Sequence, residues 1–389
     1  MQPILLKNCV LINFDNYSKS KKDILLRNGK IEQIDDNINF ESDTLRVIDV
    51  KEHYALPGFI DCHTHMGIIE EATGKLGIDN NEISNPVTPH LRAIDGINPL
   101  DISFKDAVRA GVTCVMSGPG SNNAVGGLNT VLKTYGKIID KMVVKNPYGL
   151  KIALGEDPMS CYGNNGKCPV TRMGVTSLIR ELFMRAQDYM FQKEQDKLRE
   201  RDIRLEAVVP LLKGELTLRA HAHRADDIVS VIRIAEEFNI KKLVVEHGTE
   251  AHLISDYLIE KNVPVAFGPI LTPRIKMELR KRNYSSALHL VEAGVKIALI
   301  TDHPYNSIDQ LRSVALLAVS EGLKPLDALK AITINAAQML ECDDRVGKLE
   351  VGYDADIIIL NGDPLDMINT KVVTTIINGE VIYERKKLQ

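Results

Sequence analysis

From about residue 56 to 340 the chain alternates short, continuously apolar runs with helix-length stretches, and this alternation limits the fold more than any other feature. The runs include GVTCVMSG (111–118), GLKIALGE (149–156), ELTLRAHA (215–222), KKLVVEHG (241–248), VPVAFGP (263–269) and VKIALITD (295–302). A strand with one wet face alternates polar and apolar residues, whereas these runs do not, so both faces are expected to be covered, as in a parallel sheet layered with helices. Eight such units would close a barrel. At 389 residues the chain suits a barrel with an accessory piece better than one small domain.

The two ends read differently. ILLKNCVLIN, DILLRNGKIEQI and RVIDVKEHYALPG are β-rich, and so are VGKLEVGYDADIIILNG and VTTIINGEVIYE near the other terminus. Asn28-Gly29 and Asn378-Gly379 each sit between two strand-like runs, as two-residue hairpin turns do. A β-rich start and a β-rich end around a β/α array imply that both ends pair in one small sheet domain. The expected layout is residues 1–55 and 346–389 in a β-sandwich and 56–345 in the barrel.

Charge narrows the partner. Lys+Arg 48 against Asp+Glu 52, a net charge of -4, gives no basic field for nucleic acid or an anionic membrane. A small-molecule substrate and a homo-oligomeric assembly are expected. The first apolar runs are broken by Lys7, Asn8, Asn13 and Asp15, which leaves neither a secretory core nor a spanning length and implies a soluble, cytoplasmic chain. Cys9, Cys62, Cys114, Cys161, Cys168 and Cys342 contain no CxxC pair and read as reduced thiols.

Against this scaffold the stretch LPGFIDCHTHMG (56–67) stands out. On a strand, residues two apart point to the same side, so His63 and His65 project together and Thr64 points away. At the carboxyl end of the first barrel strand both imidazoles would face the axis, where barrel enzymes place their chemistry. Neutral imidazoles that converge on one point commonly bind a metal ion. LRAHAH offers His221 and His223, LVVEHG offers His247 and ALITDH offers Asp302, each at the end of an apolar strand.

These strand ends, together with ALKAITINAAQML and DRVGKLEVGYDADIIILNGDPLD near the end of the chain, resemble the amidohydrolase superfamily, in particular its branch of imidazolonepropionase- and prolidase-like metal-dependent hydrolases. The resemblance covers essentially the whole chain. It implies a distorted (β/α)8 TIM barrel with a small β-sandwich built from both chain ends. It further implies His63 and His65 on one metal ion, His221 and His247 on a second, and Asp302 at the last strand as ligand and as the acid–base group.

Two groups compete as the bridging anion. Lys151 lies in a phrase resembling the strand whose lysine is carboxylated in two-metal members, and Glu156 lies at the extreme end of the same strand. His221 matches the family's ligand on the fifth strand, which leaves His223 for substrate contact. Zinc suits the histidine-rich set, as one or two ions, with iron or manganese as alternatives. The implied reaction is hydrolysis of an amide, peptide-like or cyclic C–N bond. Two other readings stand beside it: a mononuclear deaminase of a ring amidine, and a catalytically inactive scaffold, against which the retention of every ligand histidine speaks.

Other features carry less. GPGSNNAVGG (118–127) lacks the GK[ST] ending of a phosphate loop and reads as pocket rim. EDPMSCYGNNGKCPVTRMG (156–174) reads as a long loop, whose Arg172 and Tyr162 are candidates to bind a substrate carboxylate and carbonyl or simply to be solvated. FMRAQDYMFQKEQDKLRERD (183–202) reads as an exposed helix. His303 reads as an ordinary loop histidine, and His53, His90, His252 and His289 as structural or surface groups.

Overall fold

The computed structural model describes residues 2–198 and 200–386. Five strands come from the N-terminal part, β1 (Ile4–Ile12), β2 (Lys19–Arg27), β3 (Lys30–Asp35), β4 (Arg46–Asp49) and β5 (Tyr54–Pro57). Eight follow in the middle: β6 (Phe59–Thr64), β7 (Val112–Ser117), β8 (Val125–Lys133), β9 (Val143–Ala153), β10 (Thr217–Ala222), β11 (Leu243–His247), β12 (Val265–Phe267) and β13 (Ile297–Leu299). The last three are β14 (Ile357–Leu360), β15 (Val372–Ile377) and β16 (Glu380–Glu384).

The outer strands form one eight-stranded mixed sheet in the order β16-β15-β14-β5-β1-β2-β3, with β4 paired to β1. Its two halves meet where β14 runs antiparallel to β5. Asn28 and Gly29 (φ 52° and 78°) and Asn378 and Gly379 (φ 50° and 76°) are left-handed, as a two-residue turn matched to strand twist requires. The two turns also touch: a Cβ on Gly379 would lie 3.1 Å from the Cα of Gly29. A side chain at either glycine would therefore push the chain ends apart.

The middle strands form the second sheet, ordered β6 to β13 without a break. Asp61 fastens its first edge to its last by accepting from the Thr301 backbone N–H at 2.9 Å and the Thr301 hydroxyl at 2.6 Å, and the His65 N–H donates to the His303 carbonyl at 2.8 Å. The eight strands thus make a nearly closed TIM barrel with helices outside it. The helix Ala225–Glu237 shows the pattern, burying Ile228, Val231, Ile232 and Ala235 at helical spacing against the barrel.

Two expectations change. β8 begins inside the segment read as a glycine-rich rim and continues to Lys133, and it runs antiparallel to both β7 and β9. The connections on either side of it are hairpin-like and too short for a crossover helix, so the array is not a simple repeat of β/α units. Gly127 (φ 132°) permits this, because a Cβ there would sit 2.5 Å from the Leu91 carbonyl oxygen. The segment read as a long loop after β9 contains the helix Glu156–Gly163 and the start of the next helix, Arg172–Glu194, whose N-terminus the Thr171 hydroxyl caps by accepting from the Gly174 N–H.

Candidate metal centre

At the carboxyl ends of the barrel strands lies a cavity of about 160 Å³, lined among others by His63, His65, Lys151, His221, His223, His247 and Asp302. All of these side chains are buried. Three groups lie with donor atoms within 4.8 Å of one another: His63 with His65 and Asp302, His221 with His223 and His247, and His63 with Glu246 and His247, the last spanning the other two. Asp302 Oδ1 is 3.1 Å from His63 Nε2 and 3.4 Å from His65 Nε2.

The outer nitrogens fix how the rings face. His65 Nδ1 pairs with the Gly118 carbonyl at 2.7 Å, His247 Nδ1 with the Gly268 carbonyl at 2.9 Å, and His223 Nδ1 with the Thr249 hydroxyl at 2.8 Å. Where Nδ1–H donates to a carbonyl, Nε2 keeps its lone pair and points it into the cavity, an arrangement that orients metal-binding imidazoles. His63 instead has its Nδ1 2.9 Å from Glu246 Oε1.

Burial pushes His221 down to about 4, with the Lys276 ammonium adding to the effect. His223 and His247 are held well below the usual imidazole range, again chiefly by burial and then by neighbouring cations and imidazoles. These rings are neutral at neutral pH, the form that binds metals. Burial alone would raise Asp302, but His247, His63 and His65 hold its carboxyl well below the usual range. His63 moves upward: burial opposes the shift, and the Glu246 carboxylate outweighs it.

Several of these buried polar atoms lack a hydrogen-bond partner, among them His63 Nε2, His221 Nε2 and Asp302 Oδ1. A buried polar atom left unpaired costs about 1–3 kcal/mol. Several of them converging in one cavity, all nitrogen or carboxylate oxygen, fit a divalent cation, whose coordination would satisfy them. His247 (φ 72°) and Asp302 (φ 56°) are also left-handed, a costly backbone state that gathers at functional sites.

Lys151 faces the cavity, where its ammonium pairs with the buried Glu246 carboxylate. Glu156, Arg172 and Tyr162 stand outside the cavity lining. The Glu156 N–H donates to Glu278 Oε1 at 2.7 Å and its own carboxylate accepts from the Glu278 N–H at 3.3 Å. Arg172 binds Asp227 at 3.1 Å and Glu278 at 3.2 Å. The buried Tyr162 hydroxyl donates to Asn123 Oδ1 at 2.7 Å. His303, expected in an open loop, is buried, and its Nδ1 accepts from the Ile308 N–H at 3.1 Å.

The sequence reading missed Glu246, Arg219, Asp157, Lys276 and Tyr305. Arg219 and Glu246 lie beneath the histidines, with Arg219 Nε donating to Glu246 Oε1 at 2.8 Å and a guanidinium NH2 to the Cys62 carbonyl at 2.8 Å. A signal for both was present, because each is a charged residue inside an otherwise apolar strand. Asp157, Lys276 and Tyr305 line the cavity wall and gave no such signal, since they sit in segments without strand periodicity.

Comparison with known proteins bears on the family and the fold. The model of the amidohydrolase family matches residues 187–382. The chain is 41% identical to a crystallised amidohydrolase from Thermotoga maritima MSB8, covering 98% of this chain and 100% of that one with a TM-score of 0.94. It is 26% identical over 373 residues to the amidohydrolase tasK of Hapsidospora irregularis, covering 88% of this chain but only 38% of tasK. A 5-methylthioadenosine/S-adenosylhomocysteine deaminase of Caldicellulosiruptor saccharolyticus is 23% identical over 442 residues, covering 98% of this chain and 93% of the deaminase.

Proposed function

Because the chain belongs to the amidohydrolase family, we propose that it is a metal-dependent hydrolase of a C–N bond in a small molecule, an amide, a short peptide or a cyclic amide. The observation that carries this reading is the pair of buried donor groups facing each other in one cavity, His63, His65 and Asp302 on one side and His221, His223 and His247 on the other. His63, His65, His221 and His247 would hold zinc, with Asp302 as the weakly bound carboxylate and Lys151, carboxylated, as the bridge. When bound, the metal supplies a Lewis acid that polarises the substrate carbonyl and makes a nearby water more acidic.

The protein's own groups do the rest. Asp302 is ionised, and its Oδ2 lies away from the His63 and His65 nitrogens that face Oδ1, 3.9 Å from His247 Nδ1. This oxygen accepts the proton of the attacking water and passes it to the leaving nitrogen as the tetrahedral intermediate collapses, since an amide anion is a very poor leaving group. His223, which lines the cavity, would contact the substrate. Among the described residues no helix is long and apolar enough to cross a membrane, and a cytoplasmic enzyme is the location we propose.

A mononuclear deaminase is the second reading. The Lys151–Glu246 pair favours it, because an ammonium already engaged by a carboxylate is not a bridging anion. Metal analysis of the purified protein combined with hydrolysis of N-acyl amino acids, dipeptides and cyclic amides tests both. Two equivalents of metal and chelator-sensitive amide hydrolysis support the first reading, and one equivalent with ammonia release from a ring amidine supports the second. Turnover that survives complete removal of metal refutes both.

A further inference from the structure

Lys276 breaks the polarity pattern of its segment. It lies in extended backbone (φ -141°, ψ 161°) between β12 and the helix Ser286–Ala293. Its neighbours Ile275 and Met277 are 66% and 63% exposed, while the Lys276 side chain is 19% exposed. A segment placed for burial alone would turn the isoleucine and methionine inward and leave the lysine in water. Here the ammonium is turned into the cavity wall, while Met277 is left in solvent and Ile275 reaches only the cavity rim, mostly exposed.

The ammonium is held from two sides. In front, it donates to both oxygens of Asp157, at 2.8 and 2.7 Å, and Asp157 Oδ2 in turn lies 3.2 Å from His221 Nε2. Behind it, the buried Glu278 places Oε2 4.0 Å away, and that oxygen has no hydrogen-bond partner among the described residues. Glu278 is itself fixed, since its Oε1 accepts from the Glu156 N–H and from Arg172. Glu156 and Arg172, which stand outside the cavity, thus hold the strip of chain that carries Lys276. A partly exposed ion pair adds little to stability, so stability alone does not explain a lysine so carefully aimed.

We propose that Lys276 determines specificity by binding a carboxylate of the substrate. This rests on the hydrolase reading above. Lys151, the other lysine among the described lining residues, is paired with Glu246 or, in the hydrolase reading, carboxylated, so Lys276, whose two bonds to Asp157 leave a third N–H, is the cation that can take an incoming anion. An ammonium has three donors and no acceptor, so a second carboxylate can join Asp157 on it. Lys276 is two contacts from the His221 ring, which places the recognised carboxylate close to the scissile bond. The substrate class is therefore an N-acyl amino acid or a dipeptide with a free carboxylate. Pro269, Ile275 and Leu279 on the same wall favour an aliphatic side chain on it.

The test is calorimetric binding of N-acetyl-leucine and of N-acetyl-leucinamide to the zinc-loaded protein, with metal content measured for every variant. The wild type is expected to bind the acid at least tenfold more tightly than the amide. Lys276→Met removes that preference without changing metal content or amide affinity, and Lys276→Arg, which keeps the charge, retains it. Asp157→Asn, which removes the competing carboxylate, strengthens acid binding. A wild type that does not distinguish acid from amide, including one that binds neither, overturns the proposal. So does an acid preference that survives Lys276→Met, which would put the carboxylate on the metal instead. Turnover is not read here, so failure of the hydrolase reading shows separately, as metal-independent or absent hydrolysis.

Discussion

Glu246→Gln is the substitution with the largest consequence that can be worked from the structure. The carboxylate is fully buried and meets three groups: the Lys151 ammonium, Arg219 Nε at 2.8 Å and His63 Nδ1 at 2.9 Å. Burial opposes its charge, but His63, Lys151 and Arg219 together hold it well below the usual carboxylate range. The glutamine keeps shape and loses charge, so two buried cations remain without their counter-ion. Removing one partner of a buried ion pair costs about 3–5 kcal/mol, because the remaining charge is left uncompensated in a poor solvent for ions.

The assay is urea unfolding of the metal-free protein at pH 7, where metal binding cannot mask the loss. Glu246→Gln is expected to lower the unfolding free energy by about 3–5 kcal/mol. In Glu246→Gln/Lys151→Met one of the stranded cations is gone, so the double variant should recover about 1–3 kcal/mol relative to additive behaviour. Because the folded carboxyl is depressed, its stabilisation is fully present above the unfolded value near 4.3 and is lost only as pH falls further, through the folded value. The gap between wild type and variant should therefore close on the acid side only below about pH 5, and should narrow on the alkaline side as His63, which Glu246 raises above the usual imidazole value, loses its proton. A loss under about 1 kcal/mol, or strict additivity in the double variant, would refute the account of Glu246 as the counter-ion of this buried cluster.

The remaining expectations are shorter. His63→Ala and His65→Ala should each lower metal content and abolish activity while the far-ultraviolet spectrum stays native, and full activity in either would remove the basis of the metal reading. Asp302→Asn should keep most of the metal but lose turnover by roughly a hundred- to ten-thousand-fold, because asparagine cannot carry the proton; a near-normal rate would mean that Asp302 only shapes its loop. Glu278 is pushed up to about 7, first by burial and against the pull of Lys276. Its protonated form is thus favoured by folding, and its contribution is fully present below the unfolded value near 4.3 and lost as pH rises through about 7. Glu278→Gln should gain stability relative to the wild type across that interval and show no further change above it, as read from thermal midpoints against pH.

How much of this could be read from the sequence depends on where simple periodicity holds. His63 and His65 were legible because residues two apart share a face at the end of β6, and this held although the β6–β7 register shifts between Asp61 and Thr64 and His65 lies one residue past the strand. The barrel strands were legible because both of their faces are buried. β8 was not, since its glycines read as loop and their use depends on a contact with Leu91 that is distant in sequence.

Glu246 was missed for a sharper reason. On a regular strand Glu246 and His247 point to opposite sides, so only one could belong to the site. The left-handed backbone at His247 (φ 72°) breaks that rule: Glu246 reaches Lys151 and Arg219 inside the barrel, and the His247 ring still turns into the cavity above it. The same happens two strands earlier in the order, where Gly155 (φ 92°) ends the run from β9 and divides the next two carboxylates, Glu156 to Glu278 and Asp157 to the cavity wall. Residue spacing identifies ligands while the backbone keeps its period. The groups that orient those ligands and select the substrate lie where the backbone departs from it, so only the folded chain shows which neighbour of a marked residue faces the chemistry.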